Sequence, residues 1–477
     1  MTTKLLNILT GINRTAAPSS GSMILAKDLY GAMPEIHTTF LGRAPVDQAW
    51  KAAFDQLITL STTKRPHGPD FDPYVDELTR EVGALIEKIQ PNAIHAQYLG
   101  FALSLAFTRT AGNIPIITLA HGPDVMVAER SASERETMNE VAAASTAIVA
   151  PTFALADRID RLTGRRFTDR LTVIPWGIRL RDARAHDQPP TGTGPLSLVH
   201  AGRLDDNKST ITAVEALALT DQPHRLTVIG KGTLREHLEQ RAIELGLRDR
   251  VQFEPFLPRA DLWRRLPDFD AFVFTTRGLE AFGLVLIEAH AHGLPVAYSD
   301  LPGVREILGS AGVPYTPGDP RSLAVALDEM GRDYHRRKAL TKAALHNAHR
   351  YDITTTGRQL RELTLRVTFA TPAPSAATGH ATSGRSDGPG LRQRATRDRA
   401  AAMRPGTGKT TVHRPPSQPA PVAVVRTGDL PPSERQTDIL IDLLPTPRQP
   451  GGAGEPSARP RDHALLSGPP SGLGQAR

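Results

Sequence analysis

Short, uninterrupted apolar runs recur along the first three quarters of the chain. They are separated by longer stretches whose apolar residues fall every three or four positions. The runs "KLLNIL", "AIHAQY", "IPIITLA", "TAIVAP" and "LTVIPW" predict buried strands in the first half. "LSLVHAG", "RLTVIG", "VQFEPF", "DAFVFT" and "PVAYS" do so in the second. Between them, "DPYVDELTREVGALIEKIQ" and "NKSTITAVEALAL" carry helical spacing. Strands that are apolar on both faces and alternate with helices predict an α/β fold of parallel sheets covered on both sides. The stretch "RDARAHDQPPTGTGP" reads as a linker. It divides the chain into two doubly wound, Rossmann-like domains, 1–180 and 190–345, and a closing helix is expected over 346–370, packed back on the first domain.

Composition separates a tail from this body. Residues 371–477 hold 17 Pro and 13 Gly, too little apolar surface to offset chain entropy, so a disordered Pro/Gly/Arg-rich segment is expected there. The tail also carries 14 Lys and Arg against 8 Asp and Glu, whereas 1–370 holds 43 against 42. The basic isoelectric point therefore belongs to the tail, and a nucleic-acid footprint on the folded body is not expected. The chain has no Cys, which excludes disulfides and Cys-bound metals and fits a reducing compartment. No apolar run approaches the roughly 18 residues of a membrane span. The opening "MTTKLLNILTG" reads as a strand rather than a leader, so a cytoplasmic protein is expected.

Four clusters carry candidate chemistry. In "DAFVFTTRGLEAFGLVLIEAHAHGLPVAYSD", a strand, a loop, a helix closed by Gly293 and a second strand follow one another. This puts Glu280 in a loop at the carboxyl end of a strand, where open α/β sheets bind ligands. Gly283 lets backbone amides approach a ligand at the helix start, and Glu288 lies one turn behind. In "HAGRLDDNKS", Arg203 offers a planar fork of donors and Lys208 a point charge, a combination suited to a diphosphate, although a solvated loop would read the same. In "LAHGPD", His121 ends a strand; a lone loop histidine is more often structural, but its place on the sheet edge favours function. In "PSSGSMILAKDLY", Gly21 opens a helix that could receive phosphate, or simply ends a βα loop.

Other patterns imitate functional motifs. Asp268 with Asp270, and Asp70 with Asp72, have the form of an Asp-x-Asp metal motif but lead into a buried strand and a helix. His290 and His292 are two apart on a helix and point to different sides. "RPGTGKTT" in the tail has Met403 where a phosphate loop needs Gly, and no strand precedes it. "VIGKG" lacks the third glycine of a dinucleotide fingerprint.

Taken together, "GRLDDNKS", "VIGKG", "EAFGLVLIEAHAHGLPV…GVREIL", "LAHGPD" and "VIPWGI" resemble the retaining nucleotide-sugar glycosyltransferases of the GT-B fold, family 4 type, over nearly all of 1–370. That family carries a Glu-x7-Glu motif. The resemblance implies two Rossmann-like domains facing across a cleft and a hexosyltransferase acting with retention and without metal. It implies diphosphate binding by Arg203, Lys208 and Gly21, and amide contacts to sugar or phosphate from Phe282, Gly283 and Leu284. Glu280 and His121 would stand by the sugar at the reaction centre, and Glu288 would bind ribose. No cofactor beyond the donor is implied, with UDP-sugars favoured over GDP-sugars. Two departures are visible: the usual paired glycines read Ser20-Gly21, and the common Asn of the linker motif is Trp176.

The acceptor, a small molecule or a lipid or glycan, is left open, as are peripheral membrane contact through "DRIDRLTGRRFTDR" and a role in secondary-metabolite or glycolipid synthesis. An epimerase or phosphorylase on the same fold, and a scaffold that acts through its basic tail, are the competing readings.

Overall fold

The computed structural model describes residues 6–15, 21–43, 50, 52–65, 69–183 and 192–369. The tail 371–477, with its phosphate-loop imitation, and Ser20 lie outside the described residues. Two parallel sheets organise the body. The first contains β1 (Leu6–Thr15), β2 (Ile36–Arg43), β3 (Gln56–Thr59), β4 (Ala93–Gln97), β5 (Ile116–Leu119), β6 (Ala147–Ala150) and β7 (Leu171–Val173), in the order β3-β2-β1-β4-β5-β6-β7. The second contains β8 (Ser197–Ala201), β9 (Arg225–Ile229), β10 (Val251–Glu254), β11 (Ala271–Phe274), β12 (Val296–Ser299) and β13 (Gly312–Tyr315), in the order β10-β9-β8-β11-β12-β13. β4, β5, β6, β11 and β12 are buried at every position, because helices cover both faces.

The order of strands decides where ligands can go. In each sheet the winding reverses once, between β1 and β4 and between β8 and β11. Loops diverge there at the carboxyl ends and leave a crevice. The loops carrying Gly21, Arg203 and Glu280 all leave strands that border these two points. β2, β3 and β13 were not among the strands read from the sequence. Their runs mix His, Thr, Gly and Pro with apolar residues, and β3 lies at an exposed edge.

The two domains are joined by more than the linker. The helix Tyr334–Ala348 packs on the second domain, and the helix Ile353–Phe369 crosses to the first. The crossing is tied down by backbone bonds in both directions between Ile178 and the segment Tyr351–Ile353 (3.0 and 2.9 Å). A side chain at Gly177 would meet the Asp352–Ile353 backbone at 2.7 Å, so this approach requires glycine. Further along, Thr356 donates to the Pro175 carbonyl (2.8 Å) and Arg361 pairs with Glu35 (3.0 Å). One buried apolar cluster runs from Ile8 and Met23 of the first domain through Trp176 to Phe282, Tyr351 and Leu360.

Candidate functional site

Two loops of the second domain assemble a dense set of charges. After β8, the chain turns through Arg203 and Lys208 before the helix Thr210–Leu219. Asp205, which is nearly buried, accepts from the Lys208 amide (2.9 Å) and fixes the turn. The same carboxylate stands 3.1 Å from the half-exposed Arg203 guanidinium. From the neighbouring β11 loop, Glu280 reaches the Lys208 ammonium at 2.5 Å, with Thr276 within 3.5 Å of both groups. The ammonium also lies over the Phe274 ring. Arg203, Lys208 and Glu280 are thus gathered in one domain, and each cation already has a carboxylate, whereas Gly21, the third expected diphosphate ligand, belongs to the first domain.

Behind them, Gly283 adopts φ +75° and opens the helix Leu284–Ala291, which no side chain caps, so its first amides point into the loop region. The Phe282 side chain turns inward and meets Tyr351 edge-on, so only its backbone can serve a ligand. Glu288 projects from this helix but is nearly buried and stands 2.8 Å from the Arg259 guanidinium. Burial raises the Glu288 pKa and the facing Arg259 opposes that rise. Arg259 also bonds Asp28 on the helix Gly21–Gly31 of the first domain, and Asp28 forms a second ion pair with Arg179 at 3.0 Å. The expected ribose ligand is therefore one end of an ionic bridge between the domains.

On the first-domain side, His121 follows β5 and starts a loop braced by Asp124. This buried carboxylate accepts from the amides of Leu99 (2.6 Å) and Gly122 (2.7 Å), and more weakly from His121. Gly122 has φ +100°, and a side chain there would meet the Ala281 side chain at 2.6 Å. The His121 loop and the Glu280 loop therefore touch directly across the cleft. The His121 ring stacks on Trp176 (5.8 Å, 27°), tilts against Tyr98 (4.7 Å) and places Nε2 2.9 Å from Gln97 Oε1. Enclosure by these three side chains lowers its pKa to about 3, so the imidazole is neutral. Tyr98 holds the uncommon φ of +88° and its hydroxyl meets Ser22, next to Gly21. Gly21 opens its helix as expected, with open space where a side chain would stand.

Two of the imitation motifs have their side chains engaged within the protein. Asp270 accepts from the Ser197 amide (2.7 Å), and Asp268 pairs with Arg265. His290 meets Asn347 and His292 packs on Trp263. No group of three or more His, Cys, Asp or Glu able to hold a metal occurs among the described residues. No described helix is long and apolar enough to cross a membrane.

Two parallel doubly wound sheets, a cleft at their switch points and a last helix returning to the first domain decide the architecture. The fold is GT-B. Residues 41–182 match the family model described as Glycosyltransferase Family 4, and residues 182–346 match Glycosyl transferases group 1. Glycogen synthase of Mycobacterium tuberculosis is 32% identical over 189 residues, 38% of this chain and 45% of that protein. D-inositol 3-phosphate glycosyltransferase of Frankia alni is 28% identical over 300 residues, 56% of this chain and 72% of that protein. The chain spans about half the length of the first curated relatives it matches. Among solved structures, HepE of Anabaena in complex with UDP and glucose aligns over 75% of this chain and 99% of its own (TM-score 0.62, 19% identity). Sucrose-phosphate synthase of Thermosynechococcus elongatus aligns over 77% of this chain and 100% of its own (TM-score 0.65, 18% identity).

Sequence reasoning missed Gln97, Asp124, Arg259 and the contact made by Trp176. Asp124 stands inside the quoted "LAHGPD", where an acid two residues after Gly, at a helix start, signals a cap. Nothing local marks Gln97 or Arg259, since their partners come from segments far away in the chain.

Proposed function

We propose that this GT-B protein transfers a sugar from a nucleoside-diphosphate donor, UDP-sugars first, to a hydroxyl acceptor with retention of configuration and without a metal. The observation that carries the proposal is the Lys208–Glu280 pair, set at the uncapped start of the helix Leu284–Ala291 and touched by the His121 loop. Cleaving the bond between sugar and diphosphate builds negative charge on the leaving phosphate and positive charge on the sugar. Lys208, Arg203 and the amides of Gly283 and Leu284 would meet the first, and Glu280 the second. Both cations are paired with carboxylates, so a diphosphate would exchange with Asp205 and Glu280. That exchange would release Glu280 toward the sugar at the moment the donor binds.

Once freed from their carboxylates, Arg203 would offer the diphosphate a planar fork of donors and Lys208 a point charge. Retention follows from attack on the same face, with the departing phosphate accepting the acceptor proton. Glu288 would turn from Arg259 to the ribose hydroxyls. The acceptor would be shaped by the first domain, and the D-inositol 3-phosphate in the names of some relatives suggests a polyhydroxylated one.

The test is a binding and turnover screen of UDP-, GDP- and ADP-sugars with Lys208→Ala as control and with chelator present. Binding of one nucleotide sugar that Lys208→Ala abolishes, and turnover indifferent to chelator, is expected. If none binds, the reading fails. Trapping a glycosyl-enzyme at Glu280 would overturn same-face attack, and donor breakdown without any acceptor would favour an epimerase.

A further inference from the structure

The His121 contact to Gln97 is the last link of a hydrogen-bond chain whose direction can be worked out atom by atom. It starts on the helix Ile353–Phe369, where the Thr364 hydroxyl donates to the Leu360 carbonyl (2.7 Å). With its one proton committed, Thr364 Oγ1 can only accept from His95 Nε2, 2.9 Å away on β4. His95 is fully buried and its pKa falls to about 3, so it is neutral and carries its proton on Nε2. Its Nδ1 is then an acceptor, and the Tyr30 hydroxyl spends its one proton on that nitrogen (3.0 Å) or on Thr10 Oγ1 (3.3 Å). Thr10, beside it on β1, donates to the His95 carbonyl (2.7 Å).

Tyr30 and Thr10 have therefore no proton left for Gln97, which lies 3.0 and 3.1 Å from them and is itself buried. Gln97 must turn its amide nitrogen toward both hydroxyls. That choice points Oε1 at His121 and leaves one solution for the 2.9 Å contact: Nε2–H of His121 donates to it. The other ring nitrogen, Nδ1, has no hydrogen-bond partner among the described residues, and His121 as a whole is only partly buried.

We propose that Gln97 is a positioning residue that holds His121 in its Nε2–H tautomer, so that Nδ1 meets the bound sugar as a hydrogen-bond acceptor only. The consequence for the bound sugar rests on the transferase reading above; the tautomer does not. An acceptor nitrogen in the cleft selects a ligand that presents a hydroxyl there over one that presents an ether or carbonyl oxygen. Because the chain is anchored on the helix that returns from the second domain, the polarity of the site is set by residues far from it in sequence. Gln97 and His95 lie on one face of β4 two residues apart, which is what lets one strand carry both links.

Nitrogen-15 NMR of the full chain labelled at histidine reads the tautomer, with His121→Phe used only to assign the signal. The wild type should show a protonated Nε2 and a pyridine-like Nδ1 for His121. Gln97→Leu should give a mixture of tautomers and a kcat at least tenfold lower, with the donor KM changed less than threefold. Gln97→Glu keeps the acceptor, so it should retain the tautomer and activity at high pH. It should also gain an acidic limb, because a carboxylate raises the His121 pKa; besides the ring of Trp176, the titratable groups beside His121 are Tyr98, which meets the ring, and Asp124, which binds the backbone amide. A wild-type proton on Nδ1, an unchanged tautomer in Gln97→Leu, or an unchanged kcat in that variant would overturn the proposal. If the wild type turns over no nucleotide sugar, the transferase reading fails while the NMR result still decides the tautomer.

Discussion

The two walls of the cleft are built on different electrostatic principles. On the first-domain wall, His121, Gln97, Tyr30, His95 and Thr364 are all neutral, and each hydrogen bond fixes the direction of the next. On the second-domain wall, Lys208 with Glu280, Arg203 with Asp205 and Arg259 with Glu288 are all paired charges. A neutral chain in a low-dielectric interior is set before a ligand arrives and has nothing to exchange. A charge pair at a cleft stays soluble and compact without ligand, yet can trade one partner for a phosphate or a hydroxyl. The comparison teaches that geometry is held on one side and affinity on the other.

The largest effect should come from the charged wall. Lys208→Ala should lower kcat/KM by about a hundredfold or more, the scale of losing one well-placed electrostatic donor. Its melting temperature should stay near wild type, since Glu280 keeps access to the cleft. A loss below tenfold would mean the diphosphate lies elsewhere.

Arg259→Met should destabilise by about 3 kcal/mol in urea unfolding, the lower end for breaking a buried ion pair, because Glu288 and part of Asp28 lose their partner. A stability change under about 0.5 kcal/mol, as at an ordinary surface site, would show that the bridge between domains is incidental.

The two glutamates sharpen the contrast within one wall. Glu280→Gln should lower kcat more than it weakens donor binding, and Glu288→Gln should do the reverse, each by roughly tenfold, the worth of one charged hydrogen bond. Similar losses of both kinds in both variants would remove the division of labour.

The smallest effect belongs to the neutral interior. Burial lowers His95 and His290 to about 3 and His200 to about 4, below the ordinary imidazole value. Between about pH 6.5 and 4 the unfolded chain therefore binds more protons than the folded one. Stability falls with falling pH there by up to about 1.4 kcal/mol per pH unit for each histidine. His95→Gln should flatten that slope; an unchanged slope would mean that His95 is charged and the chain of hydrogen bonds runs otherwise.

Much of this was readable from local pattern. The strands that border the switch points, the helix after Gly283, the loop position of Glu280 and the βα turn at Gly21 follow from apolar runs and turn residues, which are local signals. β2, β3 and β13 escaped because their runs are broken by polar or small residues and owe their strand form to a neighbour. The resemblance implies a ribose role for Glu288, and nothing local in the sequence reports that Arg259 stands opposite it. Trp176 read as a departure from a motif, whereas its ring forms one side of the His121 enclosure.

The sequence alone determined the alternation of strand and helix, the balanced charge of the body and the residue types at each strand end. These depend on neighbours within a few positions, where periodicity and turn chemistry act. Tertiary structure alone decided that Lys208 faces Glu280, that Arg259 joins Asp28 to Glu288, and that Gln97 presents its carbonyl to His121. Those outcomes depend on which distant groups have protons or charges still uncommitted when the two domains and the returning helix close on one another.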